Sequence, residues 1–136
     1  MRAVRSRDTQ PELAVRRIAH GLGFRFRLHR KDLPGSPDLV FPRLRKIILV
    51  HGCFWHAHDC KRGQRIPKQN RAYWTAKIER NAQRDRNVLR ELNAAGWATL
   101  VIWECETRDA GELMIRIKMF LSGSVIDRSG RAALAP

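Results

Sequence analysis

Between Lys46 and Cys60 the chain reads Lys-Ile-Ile-Leu-Val-His-Gly-Cys-Phe-Trp-His-Ala-His-Asp-Cys. An apolar run of strand length leads into ten residues that hold three histidines, two cysteines, a Phe-Trp pair and an acid. Soft metal ligands, titratable imidazoles and large aromatic rings are compressed into one loop. Rigid scaffolds place their chemistry on loops of this kind. Any fold for this chain must anchor that loop at a strand mouth.

Cys53, His58 and Cys60 stand in a C-x4-H-x-C arrangement, and the only other cysteine, Cys105, follows a second apolar run. Thiolate and imidazole are the usual donors of a four-coordinate structural zinc. Three ligands from one loop and a fourth from a neighbouring strand end would complete such a site. The spacing is not that of a standard finger, and the alternative is three buried thiols acting as small hydrophobes. That every cysteine abuts a strand end favours the metal.

The 136 residues suit one domain that buries about two-thirds of its unfolded surface. No apolar run approaches the roughly 18 residues of a membrane span, and the N-terminus has no signal-peptide pattern. Three cysteines cannot close a complete disulfide framework, which favours a reducing, cytoplasmic compartment. Lysine and arginine number 27 against 13 acids, a net charge of +14 spread along the chain. An ordered, strongly basic domain rich in arginine points to nucleic acid, through phosphate neutralisation. Charge alone leaves a scaffold role or a merely soluble basic surface open.

Residues 1–8 read as a flexible basic arm or a frayed terminus. Thr9-Gln10-Pro11-Glu12 reads as a helix start, with Thr9 as cap and Glu12 at the capping-box position. An apolar stripe through Leu13, Ile18 and Leu22 follows, and Gly21 to Gly23 stop the helix. Phe24 to Leu28 alternates as a half-buried strand with a cationic outer face, and residues 29–34 form a basic loop. Gly35 to Phe41 is a turn feeding a short strand with Asp38 at its mouth. This strand and Lys46–His51 are close enough to pair as an antiparallel hairpin.

The period of Trp74, Ile78, Ala82, Leu89, Leu92 and Ala95 predicts a long helix from about Arg71 to Ala95, with Gly96 as its stop. Its opposite face, with Arg80, Arg84, Arg86 and Arg90, is basic. Trp97 to Glu104 is a strand that delivers Cys105. A last helix, capped by Thr107 or Asp109, runs through Leu121 on Leu113, Met114, Ile117, Phe120 and Leu121. Residues 122–136 read as a loose tail, leaving 9–121 as the domain. The expected class is α/β (α+β), a mixed sheet flanked by helices.

Asp38 and the histidines after the next strand can share one sheet edge. A carboxylate at a strand mouth on a basic protein is the ordinary recipe for a Mg²⁺-dependent phosphodiesterase. Zinc would sit apart on the sulfurs, since hard and soft ions sort by ligand. His56, not needed as a ligand, can serve as base towards a water. A packed role for His51 and His56 stays open on spacing alone. Phe54 and Trp55 project from a small loop, and with Trp74 they can stack on or wedge between bases, although core packing is the commoner use of any one ring.

Gly35-x-Pro37-Asp38, His51-Gly52-Cys53-Phe54-Trp55-His56-x-His58-x-Cys60, Arg84-Asp85-Arg86, Gly96-Trp97 and Val101-Ile102-Trp103-Glu104-Cys105 occur in that order. With the turn at Asp8-Thr9, this set closely resembles the very-short-patch-repair (Vsr) DNA mismatch endonucleases. The resemblance implies a restriction-endonuclease-like fold and a structural zinc on Cys53, His58, Cys60 and Cys105. It implies an enzyme that nicks duplex DNA 5′ to the thymine of T:G mismatches left by deaminated 5-methylcytosine, starting very short patch repair. Asp38 would hold catalytic Mg²⁺ with the main-chain carbonyl of Val50. His56 would activate water, His51 would lie near the phosphate, and Glu12 and Asp85 match other acids of that site. Phe54, Trp55 and Trp74 match rings that wedge beside the mismatch.

The resemblance further implies a monomer in the bacterial cytoplasm, associated with the nucleoid and linked functionally to a cytosine-5 methyltransferase and a repair polymerase. Val50 stands where the family pattern has threonine, which removes a hydroxyl and keeps the carbonyl. Met1 would wedge from the minor-groove side, unless the arm that carries such a residue is shortened here. Two rival readings stand beside this one. The first is a zinc-stabilised DNA-binding module without catalysis. The second is a nuclease of the same fold that cuts undamaged sites, as restriction enzymes do.

Overall fold

The computed structural model describes residues 9–53 and 66–122, with the backbone alone at 125–126 and 132–133. Helix α1 (Gln10–Gly21) is followed by strands β1 (Arg27–Leu28), β2 (Leu39–Phe41) and β3 (Lys46–His51). Helix α2 (Arg71–Ala94), strand β4 (Ala98–Trp103), a short 3₁₀ turn (Glu104–Arg108) and helix α3 (Ala110–Ser122) complete the domain. A two-residue ladder of β5 (Val125–Ile126) and β6 (Ala132–Ala133) lies beyond it.

The four-stranded sheet has the order β1-β2-β3-β4. β1 pairs antiparallel with β2 and β2 with β3, and the β2–β3 hairpin sets Leu39 opposite Ile48 and Phe41 opposite Lys46. β4 is parallel to β3, from Lys46 opposite Ala98 to His51 opposite Trp103. A parallel neighbour needs a crossover, and α2 supplies it. The sheet is thus mixed and flanked by helices, as its alternating and apolar runs predict.

Strand periodicity divides the core into two layers. Leu39, Phe41 and Ile48 face α1 and α3, where they meet Val15, Ala19, Leu113, Ile117 and Leu121. Val40, Ile47 and Leu49 face the other way, onto Leu92 and Trp97. α1 differs from its sequence reading. Its buried line is Glu12, Val15 and Ala19, with Ile18 and Leu22 only partly covered. The helix is rotated so that a carboxylate, not Leu13, leads its inner face. β1 is also shorter than the alternation of residues 24–28 suggests, because only Arg27 and Leu28 find ladder partners on the short β2.

Helix ends follow their local chemistry. Thr9 Oγ1 accepts from the Glu12 N–H at 3.4 Å, and Asp109 Oδ1 accepts from the Glu112 N–H at 3.1 Å. After α2, Gly96 takes φ +92°, and the Trp97 N–H reaches the Leu92 carbonyl at 3.0 Å, closing the helix with a left-handed residue. Lys46, buried at the start of β3, donates its Nζ to the carbonyls of Phe120 (2.6 Å) and Leu121 (3.3 Å). It satisfies the last carbonyls of α3, and burial lowers its ammonium from the usual lysine range. In α3, Met114 points outward, 47% exposed, so the buried set is Leu113, Ile117 and Leu121.

One close approach fixes α2 against the approach to β2. Gly35 sits at φ +74°, and a Cβ built there would lie 2.7 Å from Val88 Cγ1. Glycine is required on both counts. Gly35→Ala is therefore expected to cost about 2–4 kcal/mol, combining left-handed strain with overpacking. Urea unfolding of the two proteins checks this, and a loss under about 1 kcal/mol would mean that α2 is free to move away.

Candidate active site

The topology delivers its polar groups to one end of the sheet. β2 starts there, β1 and β3 end there, and the N-terminus of α1 packs over it. Asp38 immediately precedes β2. Continuing the hairpin register past Leu39 and Ile48 would set Pro37 opposite Val50. The backbone ladder stops before that point, and the Val50 N–H donates to Asp38 Oδ2 at 2.7 Å. A side chain thus replaces a strand carbonyl, and the carboxylate is locked in place.

Glu12 is 2% exposed, and its two oxygens are held separately. Arg16 donates to Oε2 at 2.6 Å from the next helical turn, and His29 Nε2 lies 2.7 Å from Oε1. His29 follows β1 in a left-handed conformation (φ +46°), and its N–H donates to the Asp38 carbonyl at 3.3 Å. Its Nε2 is also 4.0 Å from Asp38 Oδ1. One donor atom from each of Glu12, His29 and Asp38 falls within 4.8 Å of the others, a geometry able to hold a cation. Burial, followed by the Glu12 carboxyl alongside, pushes Asp38 up to about 8, against the smaller opposing pull of the Val50 N–H.

An open cavity of about 440 Å³ lies over this edge. Asp38, Val50, His51 and His29 form its floor, α2 contributes Arg84, Asp85 and Val88, and Lys31 adds a second cation. His51 is buried at the end of β3, its ring edge-on to Trp103 with centroids 5.2 Å apart. The sequence-predicted Glu12, Asp38, Val50, His51 and Asp85 are therefore gathered at one edge. Glu12 was explained by the sequence as a capping residue, yet its carboxylate is turned into this site.

His29 and Lys31 were missed, both hidden in what reads as a basic loop. Only the backbone turn that swings His29 towards Glu12, 17 residues earlier, exposes its part. Cys53 and Cys105 also meet, the Cys105 N–H donating to Cys53 Sγ at 3.4 Å. Trp74 occupies the first turn of α2, edge-on to Tyr73 at 5.2 Å, with Lys77 Nζ 5.9 Å from its ring centre. It is not among the residues that line the cavity. Met1, Phe54, Trp55, His56, His58 and Cys60 lie outside the described residues.

Acids and an imidazole on a mixed sheet edge, with Arg84 and Lys31 lining the same cavity, make a candidate metal-binding site. The family model for the DNA mismatch endonuclease Vsr matches residues 1–62, which carry Glu12, Asp38, Val50 and His51. The type II nicking enzyme V.XorIIP of Xanthomonas oryzae pv. oryzae is 52% identical over 124 residues, 91% of this chain and 90% of that protein. The DNA mismatch endonuclease Vsr of Escherichia coli is 39% identical, covering 83% and 72% of the two chains. V.NmeAIP, a type II nicking enzyme of Neisseria meningitidis, is 38% identical, covering 80% and 77%. The chain belongs to the Vsr endonuclease family. Among the described residues, no helix is long and apolar enough to cross a membrane.

The raised Asp38 carboxyl sets a pH dependence. Without a cation, this group adds stability that is present below its unfolded value near 4 and is lost as pH rises through about 8. A cation requires the ionised form, so binding releases a proton below that point. Divalent-cation affinity should rise by up to about tenfold per pH unit below pH 8 and level off above it. Calorimetric titration with Mg²⁺ across this range checks it, and a flat profile would remove Asp38 as the titrating ligand.

Proposed function

We propose that the protein is a Mg²⁺-dependent DNA endonuclease that nicks one strand 5′ to the thymine of a T:G mismatch, in a restriction-endonuclease-like fold. The observation that carries the reading is the placement of Asp38, partly buried beside Glu12 and tied to the Val50 N–H, on the floor of a cavity rimmed by Arg84 and Lys31. A buried carboxyl beside a partly buried one repels it when both are anions, and a divalent cation relieves that repulsion, so the donors suit the metal that this chemistry needs. The names of the relatives supply the substrate class: a mismatch endonuclease and nicking enzymes.

Asp38 and the main-chain carbonyl of Val50 would hold Mg²⁺. When bound, the ion supplies positive charge against the phosphate oxygens. Glu12 and Asp85 shape the charge around that position, and His51 packs at the cavity floor where a phosphate would rest. Arg84 and Lys31 bring cationic charge to the nucleic-acid backbone. His56 takes the proton of the attacking water, the usual general-base role of an imidazole. Zinc on Cys53, His58, Cys60 and Cys105 would pin the loop that carries His56, and the contact between Cys53 and Cys105 supports that pairing of strand ends.

Phe54, Trp55 and Trp74 would insert beside the mismatch. A wobble pair costs less to open than a Watson–Crick pair, so a wedge favours T:G by about 1–3 kcal/mol, the usual discrimination at one base pair. The domain of residues 9–121, its basic arm and its tail act in this reading as a monomer. Cytosine methylation followed by deamination creates the substrate, and a repair polymerase completes the patch.

The test is strand-resolved nicking of T:G and C:G duplexes in varied flanking sequence, with Mg²⁺ or EDTA. Cuts only on the thymine strand, dependent on Mg²⁺, are expected. Equal cutting of C:G duplexes would replace mismatch repair by restriction-type cleavage. Asp38→Asn should slow nicking by about a hundredfold to a thousandfold while leaving duplex binding in place. Tight binding with no cut by the wild-type chain would leave a DNA-binding module instead. Trp55→Ala should lower the preference for T:G over C:G by about tenfold, and an unchanged ratio at fixed salt would remove the wedge.

A further inference from the structure

We propose that His29 is a metal ligand, so that Glu12, His29 and Asp38 form a one-nitrogen, two-carboxylate site that takes a first-row transition cation in preference to Mg²⁺. The inference rests on the reading of Asp38 as the metal-holding acid and adds two ligands, Glu12 and His29, and a metal preference to it.

Geometry carries the assignment. Bonds of about 2.1 Å place the donors of an octahedral ion about 3 Å apart when adjacent and about 4 Å apart when opposed. His29 Nε2 lies 2.7 Å from Glu12 Oε1 and 4.0 Å from Asp38 Oδ1, which spans that range. All three groups are already held in place before any ion enters. Arg16 fixes the far oxygen of Glu12, the Val50 N–H fixes the far oxygen of Asp38, and the His29 backbone is tied to the Asp38 carbonyl. Each carboxylate thus turns its nearer oxygen towards the imidazole. His29 reaches this position only by adopting φ +46°, a conformation uncommon outside glycine. Three elements distant in sequence converge on one point: α1, the turn after β1 and the mouth of β2.

The nitrogen decides the metal. Mg²⁺ favours oxygen donors and gives up its waters reluctantly, whereas imidazole strengthens binding of first-row transition ions. Mn²⁺ is the suitable probe, since thiolates do not compete for so hard an ion and its electron spin couples to directly bonded nitrogen. A histidine that merely buttresses Glu12 would leave no such coupling.

The experiment is Mn²⁺ and Mg²⁺ titration of the 136-residue chain, with pulsed electron paramagnetic resonance of the Mn²⁺-loaded protein. Wild type should bind Mn²⁺ at least about tenfold tighter than Mg²⁺ and show nitrogen modulation from one imidazole. His29→Gln should lose the modulation and about tenfold or more of its Mn²⁺ affinity, with Mg²⁺ affinity changing less. A second variant, His51→Gln with His56→Gln, should keep the modulation, and it decides the matter alone if His29→Gln fails to fold. Mn²⁺ bound without nitrogen coupling in wild type, or coupling that survives His29→Gln, overturns the proposal. Nicking of T:G duplexes in Mg²⁺ is scored separately. Nitrogen coupling in a protein that nicks nothing supports this ligand and sinks the proposed function. Nicking by an all-oxygen site does the reverse.

Discussion

The hydrogen bond from the Val50 N–H to Asp38 Oδ2 joins the fold to its chemistry. It forms where the β2–β3 ladder runs out, at the point where the register would bring Pro37 opposite Val50. The chain there converts a backbone pairing into a side-chain clamp, and the partly buried carboxyl that results becomes the centre of a polar cluster. Glu12 arrives from α1 and His29 from the turn after β1, while Asp85 arrives across the cavity from α2. Displacing the hairpin by one residue would turn Asp38 to the opposite face and dissolve the site.

Rigidity around this edge has separate sources on its two faces. On one, Val15 and Ala19 of α1 pack with Leu113, Ile117 and Leu121 of α3, and buried Lys46 fastens the last carbonyls of α3 to the sheet. On the other, α2 meets the sheet mainly through Leu92, with Val88 and Leu89 partly buried beside it, and reaches the site through Val88 against Gly35. Most of α2 is solvent-facing, and Arg80, Arg84, Arg86 and Arg90 lie along it. A long, basic helix beside an acidic floor suits a polyanionic partner. Net charge of +14 supplies the general attraction, and the cavity supplies the place.

Much of this was legible where the signal is local. The hairpin, Asp38 at its mouth, α2 and the stops at Gly21–Gly23 and Gly96 follow from alternation, period and turn chemistry within short windows. The parallel placement of β4 beside β3 was not, because sequence order does not say which side of a sheet a crossover returns to. His29 was invisible for a similar reason: its partner Glu12 lies 17 residues away, and the left-handed turn that joins them has no glycine to announce it. Glu12 reads two ways, because a capping position and a site acid make the same sequence, and only the resemblance set it among the site acids. The family motif named Glu12, Asp38, Val50, His51 and Asp85 together, whereas Lys31 and His29 needed coordinates.

The central claim is that the reactive metal sits at this sheet edge. Loading the chain with Fe²⁺ and treating it with ascorbate and peroxide generates radicals that cut polypeptide beside the bound ion. Fragments ending near Glu12, His29, Asp38 and Val50, suppressed by excess Mg²⁺, are the predicted result. Cuts confined elsewhere in the chain, or indifferent to Mg²⁺, would place the metal outside this edge and contradict the account.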